Sequence, residues 1–364
     1  MTDADDIVDI GTATRSYERW LAKQVPLVAA DVRRKHREMR KDPFRFFRAT
    51  YYRWIQRAAA MTDRPDARPV LAIGDLHIEN FGTWRDSEGR LVWGVNDFDE
   101  VDERPFTDDL IRLTASAILA KAIGRMRLRP VDIAEAVLLG YRDSLSQGGE
   151  PFVLGERHRW LRETAMNDLR DPVAFWQKIL TKSRRDAAAP RRVRSLLDSV
   201  MPGPRDEFRI ARRIAGLGSL GKPRFVATAV IDGGWIAREA RSAIMPSSAW
   251  LAGAPRKVRY MDALRTAIRC PDPFVEIRSG WLIRRLAPDC SRIDLETLPK
   301  RYDEYRLMHA MGWETANVHL GSASARTLTR ELRALGRKWL PASVETMLDA
   351  LHADWNAFRG HGPS

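Results

Sequence analysis

At MPGPRDEF, residues 201–208, the spacing of apolar residues changes, and that change limits the fold more than any other feature of the chain. Before it, apolar side chains recur at three- and four-residue steps: Leu21, Val25, Leu27 and Val28, then Phe44, Phe46, Phe47, Tyr51 and Trp54. That is the period of helices burying one face. After it come the short runs FRIARRIAG, PRFVATAVI and GWIAREA, the last two separated by a turn at Asp232-Gly233-Gly234. Alternation around a glycine turn predicts an antiparallel hairpin. FVEIRSGWLIRRLA, 274–287, predicts another, and helical spacing returns from about Leu295. Within the first region, PVLAI (69–73) and LVWGVND (91–97) read as short strands, with hairpin-loop chemistry in RDSEG (85–89) between them. A helix follows from about Asp108 through Ala122. The expectation is an α+β chain in two lobes. Residues 1–200 form a mostly helical region, 201–293 a small antiparallel β-rich lobe, and 294–364 C-terminal helices that pack back on the first region.

The 364 residues suffice for two or three cores. No apolar run approaches the roughly 20 residues of a membrane span. The acidic start MTDADDIVDI lacks the pattern of a secretory signal, and two cysteines, Cys270 and Cys290, make no disulfide framework. These features predict a cytoplasmic protein with no membrane partner. Formal charge is +13, and only ten of the 61 basic residues are lysines. Such a charge suits an anionic ligand, although no block of five consecutive basic residues occurs. With neither a recognised motif nor an aromatic-basic stripe, nucleic acid is not an expected partner. The run RRDAAAPRR, 184–192, reads as a solvated linker.

Polar chemistry is concentrated where the first strand ends. LAIGDLHIENFG, 71–82, passes from an apolar run through Gly74 to Asp75, His77, Glu79 and Asn80. Seventeen residues after Asn80, NDFDE places Asp97 and Asp99 at the end of the next strand. Two carboxylates and a carboxamide at strand ends suit Mg²⁺, which takes one or two carboxylates and completes its shell with water and phosphate oxygens. The remaining carboxylate, Asp75, can accept a proton from a hydroxyl. Together these are the parts of phosphoryl transfer. His77 and Glu79 read as packed structure or substrate edge, since the P-C-x-x-C that a zinc deaminase needs is missing.

GDLHIEN resembles the catalytic loop of the aminoglycoside and choline phosphotransferases, which have the protein-kinase-like fold, and VNDFDE resembles their metal-binding segment. The resemblance implies that Asp75 is the catalytic base and that Asn80 and Asp97 hold metal, with Asp99 a candidate second ligand. It also implies that Asp109-Leu110 braces the loop. Ile73 stands where those enzymes have a loop-bracing histidine. A closer resemblance is to an uncharacterised bacterial family, domain of unknown function 2252. The matching pieces are DPFRFFRAT (42–50), GDLHIENFG, NDFDE, Pro105-Phe106 and Asp109-Leu110-Ile111-Arg112-Leu113.

GLGSLG, 216–221, fits three glycine-loop patterns. A Rossmann turn or a P-loop needs a following helix, but Pro223 and an alternating run come next. A kinase glycine loop joins two strands and covers phosphates with backbone N–H groups, which suits this context. It assigns nucleotide binding to Gly216, Gly218, Ser219, Gly221 and Lys222, and to Arg238 where a kinase has its phosphate-binding lysine. Asp262 is the guessed acid partner of that cation. Because the loop follows the catalytic motifs, the kinase-like fold would be circularly permuted. The expected activity is ATP- and Mg²⁺-dependent phosphoryl transfer to a hydroxyl of an unknown small-molecule or protein acceptor. The alternatives are an inactive nucleotide-binding sensor or scaffold, a nucleotidyl transferase, and a basic anion-binding protein. Tyr302, Tyr305, Trp313, Trp339 and Trp355 read as core of the C-terminal helices more readily than as pocket lining.

Overall fold

The computed structural model describes residues 8–61, 67–155, 157–167, 171–184, 189–203, 208–290 and 301–360. Four helices open the chain: α1 (Ile10–Gln24), α2 (Ala29–Met39), α3 (Pro43–Ala49) and α4 (Tyr51–Ala60). Asp9 accepts the Thr12 N–H at 2.9 Å and Asp42 the Arg45 N–H at 2.8 Å, the latter with Pro43 in the first turn. Those side chains satisfy amides that have no partner inside the helix.

Next come β1 (Pro69–Ala72), β2 (Phe81–Arg85), β3 (Leu91–Val95) and β4 (Asp102–Pro105). The two strands read from the sequence are both present but do not pair. β2 and β3 form the hairpin, and β1 pairs with β4, Val70 facing Arg104. β2, FGTWR, is buried through its first four residues. A strand covered on both faces shows no period of two, so its sequence gives no alternation to read.

α5 (Phe106–Ala122) runs through the middle of the body with almost every side chain buried. α6 (Pro130–Gln147) follows, then β5 (Phe152–Val153), which extends the β2–β3 hairpin to three strands. α7 (Arg159–Asn167), α8 (Pro172–Lys182), β6 (Ser183–Arg184) and α9 (Arg191–Asp198) lead into the second lobe.

That lobe is an antiparallel sheet of six strands, completed by β7 (Arg209–Arg213), β8 (Arg224–Ile231), β9 (Gly234–Ser242), β10 (Glu276–Arg278) and β11 (Trp281–Leu286). The order is β10-β11-β9-β8-β7-β6. Both expected hairpins are present. Their turns hold Asp232-Gly233 and Ser279-Gly280 at positive φ, the requirement of a two-residue turn matched to strand twist. Phe175 and Ile179 of α8 pack on Val226 and Ala237, while Val193 and Leu197 of α9 pack on Phe225 and Ala240. The sheet's helical cover thus begins upstream of residue 201. Ser183 and Arg184 pair with Arg213 and Arg212, and Ala189 is buried. The other part of RRDAAAPRR before Ala189, residues 185–188, lies outside the described residues.

Between β9 and β10 the chain returns to the helical body as α10 (Ser247–Ala252) and α11 (Tyr260–Thr266), with Trp250 edge-on to Tyr17 and Tyr52. α12 (Arg301–His319), α13 (Ala325–Ala334) and α14 (Trp339–Gly360) complete that body. Asp354 of α14 takes both Arg53 and Arg57 of α4 at 2.7–3.0 Å. Among the described residues no helix is long and apolar enough to cross a membrane.

α6 and α12 lie backbone to backbone. A Cβ on Gly140 would overlap the His309 carbonyl, and one on Gly312 would overlap the Val137 carbonyl. Gly312→Ala therefore forces the helices apart, and we expect a loss of about 1–3 kcal/mol in urea denaturation. An unchanged midpoint would show that the helices are not in close contact.

Glu314 of α12 ties that helix to the hairpin, accepting Val95 N–H at 3.1 Å and Asn317 Nδ2 at 3.0 Å. Burial pushes its carboxyl up to about 7 against the opposing pull of Arg269. A carboxyl that binds its proton more tightly folded than unfolded stabilises most below its unfolded value near 4.5, and that contribution is lost as pH rises to about 7. Calorimetry of Glu314→Gln should accordingly show a shallower loss of Tm between pH 4.5 and 7 than wild type. Parallel curves would contradict the assignment.

Candidate active site

The segment after β1 is shaped by Gly74, whose φ is 86° and where a Cβ would collide with the Glu100 carbonyl. Only glycine suits both conditions. Asp109, in the first turn of α5, accepts the Ile73 N–H at 2.6 Å and the Gly74 N–H at 2.9 Å. Behind it, His319 of α12 contacts Asp109 at 3.0 Å through Nε2, and the Tyr141 hydroxyl meets His319 Nδ1 at 2.9 Å. All three are fully buried. An imidazole does brace this loop through Asp109, but it comes from the far end of the chain rather than from position 73.

So held, the loop presents Asp75 to a cleft between body and sheet. Arg112, on α5, pairs with Asp75 Oδ1 through Nη2 and, at 3.1 Å, through Nε. The Arg112 guanidinium is buried against Phe47 at 3.9 Å, Tyr51 at 4.8 Å and Trp54 at 5.0 Å. Burial pushes the Asp75 carboxyl above its ordinary range, with Arg112 opposing. Asp75 Oδ2 is left facing the glycine loop: a Cβ on Gly218 would stand 3.7 Å from it and 2.9 Å from the Arg48 carbonyl. The close approach explains a glycine at that position.

The cleft holds a cavity of about 460 Å³ lined by Asp75, Asn80, Asp97 and Asp99 from the body and by Gly216, Gly218, Ser219 and Lys222 from the loop. Ser219 fixes the loop, its hydroxyl donating to the Ala215 carbonyl at 3.2 Å and accepting from Arg224 at 2.7 Å. Gly221 does not line the cavity. Its carbonyl accepts the Val28 N–H at 2.9 Å, and it packs on Val32 of α2. Asn80 Oδ1 accepts the His77 N–H at 2.7 Å, and Glu79 pairs with Arg48 and Arg125, so His77 and Glu79 help hold the loop while also lining the cavity.

Arg238 does not line the cavity either. It lies on the β9 face that carries Ala240, stacks over Phe274 at 4.5 Å and donates to the Ala237 carbonyl at 3.1 Å. Side chains alternate along a strand, so the cleft-facing residues are Glu239 and Arg241. Arg241 reaches across to both acids, Nη2 to Asp97 Oδ1 at 3.0 Å and Nη1 to Asp99 Oδ2. Burial pushes the Asp97 carboxyl up, but Arg241, Arg284 and Arg224 outweigh it and hold it below the usual range. Asp99 is raised by burial and by the neighbouring charge of Asp97, against the pull of Arg241, Lys222 and Arg224. Asp262 pairs with its neighbour Arg265 instead of a cleft cation.

Sequence reasoning missed several residues. Arg213, Arg224 and Arg284 line the cavity and converge on the fully buried Glu239, Arg284 at 2.8 Å. Burial pushes Arg224 down to about 10 despite Glu239. Strand alternation could have placed Glu239 and Arg241 together, but not on which side. Glu100, the last residue of NDFDE, accepts the Ser247 N–H at 2.6 Å, and burial raises its carboxyl to about 7. Lys35 of α2 is buried within electrostatic reach of Lys222, Asp75 and Glu100, and burial lowers it to about 8. No sequence signal distinguishes it. None of Tyr305, Trp313, Trp339 and Trp355 lines the cavity, and the Tyr302 side chain lies outside what is described.

The donor set suits a hard cation. Asp97 Oδ2 and Asp99 Oδ1 accept no hydrogen bond among the described residues, and Asn80 shares their cavity. No group of three or more His, Cys, Asp or Glu among the described residues forms a ready-made metal cage. Mg²⁺ does not require one when phosphate oxygens complete its shell.

Fold and site together define an α+β protein with a charged cleft between a helical body and an antiparallel sheet. Residues 27–189 match the model of a family described as an uncharacterized protein conserved in bacteria, DUF2252. The match takes in Asp75, Asn80, Asp97, Asp99 and Arg112 and ends before the glycine loop. No curated protein and no solved structure matches the chain.

The three-way contact of Arg241 predicts a measurable coupling. Arg241→Met should destabilise the protein by about 2–3 kcal/mol, less than for a fully buried pair because Asp97 and Asp99 are partly open to solvent. In an Asp97→Asn/Asp99→Asn background it should cost less than about half as much. Equal costs in a urea double-mutant cycle would sink the assignment.

Proposed function

We propose that this chain is an ATP- and Mg²⁺-dependent phosphotransferase whose two lobes correspond to a kinase-like fold in circularly permuted order. One observation carries the reading: Asp75 lies under the tip of the GLGSLG loop, in the cavity that also holds Asp97 and Asp99. The loop comes about 140 residues after Asp75 and about 120 after Asp97 in sequence. Asp75 Oδ1 is committed to Arg112, so Oδ2 is the atom that orients the acceptor hydroxyl and takes its proton as the oxygen attacks phosphorus. Asn80, Asp97 and Asp99 would hold Mg²⁺, which would offset phosphate charge. Lys222, Arg213, Arg224, Arg241 and Arg284 supply fixed positive charge along the sheet side of the cavity, where negative charge on a transferring phosphoryl group needs it.

A second reading, a nucleotide-binding sensor or scaffold without transfer, is favoured by Arg241 already neutralising both acids. Transfer of the nucleotidyl group is a third. Incubation with γ- or α-labelled ATP and cell extract separates the three. We expect γ-label on product with wild type, a reduction of about 10²–10⁴-fold with Asp75→Asn, and Mg²⁺-dependent nucleotide binding preserved in that variant by calorimetry. Label transferred from the α position would favour nucleotidyl transfer. Nucleotide binding without transfer would favour the sensor, and no nucleotide binding at all would end all three.

A further inference from the structure

The same cavity reaches the end of β11, where its lining includes Arg285, Arg269, Asp272 and Cys290. Arg285 is unusual among the arginines here. Its Nε and Nη2 are both shielded from solvent and have no hydrogen-bond partner among the described residues. These two N–H groups form one edge of the guanidinium, the edge that grips a carboxylate with two parallel bonds. Arg53 uses it on Asp354 at 2.8 and 2.9 Å, and Arg57 does the same at 3.0 and 2.7 Å. In Arg285 the edge meets no oxygen; its neighbour there is the Cys290 thiol, a weak partner that burial pushes up to about 11. Asp289 stands 4.0 Å away, beyond hydrogen-bonding distance, and its Oδ2 is taken by Arg85 at 2.7 Å.

A second guanidinium nearby also has an unsatisfied donor. Arg269 donates to the Val95 carbonyl at 2.9 Å through Nη1, but its buried Nε is also unpartnered. Its guanidinium lies over Trp84 at 4.5 Å and Phe98 at 5.2 Å. Arg285 and Arg238 both lie over the Phe274 ring, at 4.7 and 4.5 Å. Asp272 is the acid nearest in effect: burial raises its carboxyl, and Arg285 and Arg269 pull it down. Glu314 also faces Arg269, and Asp289 stands 4.0 Å from Arg285, but none of these carboxylates hydrogen-bonds the Arg285 edge. A buried, charged donor pair without an oxygen acceptor destabilises a fold unless something fills it.

We propose that this edge of Arg285, supported by Arg269, is a subsite for an oxyanion, a carboxylate or a phosphate, separate from the glycine-loop end of the cavity. The inference goes beyond the phosphotransferase reading and does not need it. Titration calorimetry with inorganic phosphate and, separately, acetate tests it on the full chain. At least one should bind wild type, and the stronger binder identifies the oxyanion. Arg285→Lys keeps the charge but loses the two-pronged edge, and should weaken binding by about tenfold or more. Arg285→Met should abolish that binding and, without ligand, raise Tm, because it replaces an unsatisfied cation by an apolar chain. A guanidinium with a purely structural role predicts a lower Tm instead. Wild-type affinity in Arg285→Lys, or a lower Tm in Arg285→Met with anion binding intact, overturns the proposal. Mg²⁺–ATP binding measured in parallel keeps the two readings apart: its absence beside an intact Arg285 response counts against the phosphotransferase alone.

Discussion

The guanidinium of Arg241 lies across the cleft from its own strand, against the carboxylates of Asp97 and Asp99. It is a contact between the sheet and the helical body, and the cleft takes its form around it. Without that cation two acids would face each other in a partly desolvated space, and the sheet would lose a charged tie to the strand end that carries them. β9 pairs with β8, the strand that leaves the glycine loop, and the loop itself is held by Arg224 on Ser219 and by Val28 on Gly221. The charge balance at the two acids is one that the β lobe and the body supply jointly.

Charge is distributed in the same way on a larger scale. The composition is rich in arginine, and many of those arginines are not solvated decoration. Arg112 is buried against three aromatic rings and holds Asp75. Arg213, Arg224 and Arg284 share one buried glutamate. A planar guanidinium can stack on rings with its faces while its edge makes directed bonds, which a lysine ammonium cannot do. That property allows so many cations inside the cleft, and it makes an unfilled edge such as that of Arg285 conspicuous.

Local pattern made much of the architecture legible. The hairpins at 232–234 and 279–280, the helix at 106–122 and the strand-loop-strand around GLGSLG follow from spacing and turn chemistry. β2 was not legible, because burial on both faces removes alternation. The loop residues Asp75, Asn80, Asp97 and Asp99 were legible because polar residues clustered at strand ends stand out against apolar runs. The β9 cation was not: Arg238 and Arg241 lie three apart on one strand, and period-two geometry guarantees only that they face opposite ways.

The sequence by itself determined the kinds of elements, their order, the turns between them and the chemistry concentrated at residues 75–80 and 97–99. Those properties depend on near neighbours along the chain: apolar spacing, turn glycines and the polar breaks that end strands. Only the tertiary structure decided which face of β9 meets the acids, that His319 braces a loop some 240 residues upstream, and that Lys35 and the Arg285 edge are buried. Each of these depends on which surfaces exclude water from one another, and that is fixed by packing between distant segments rather than by the residues on either side.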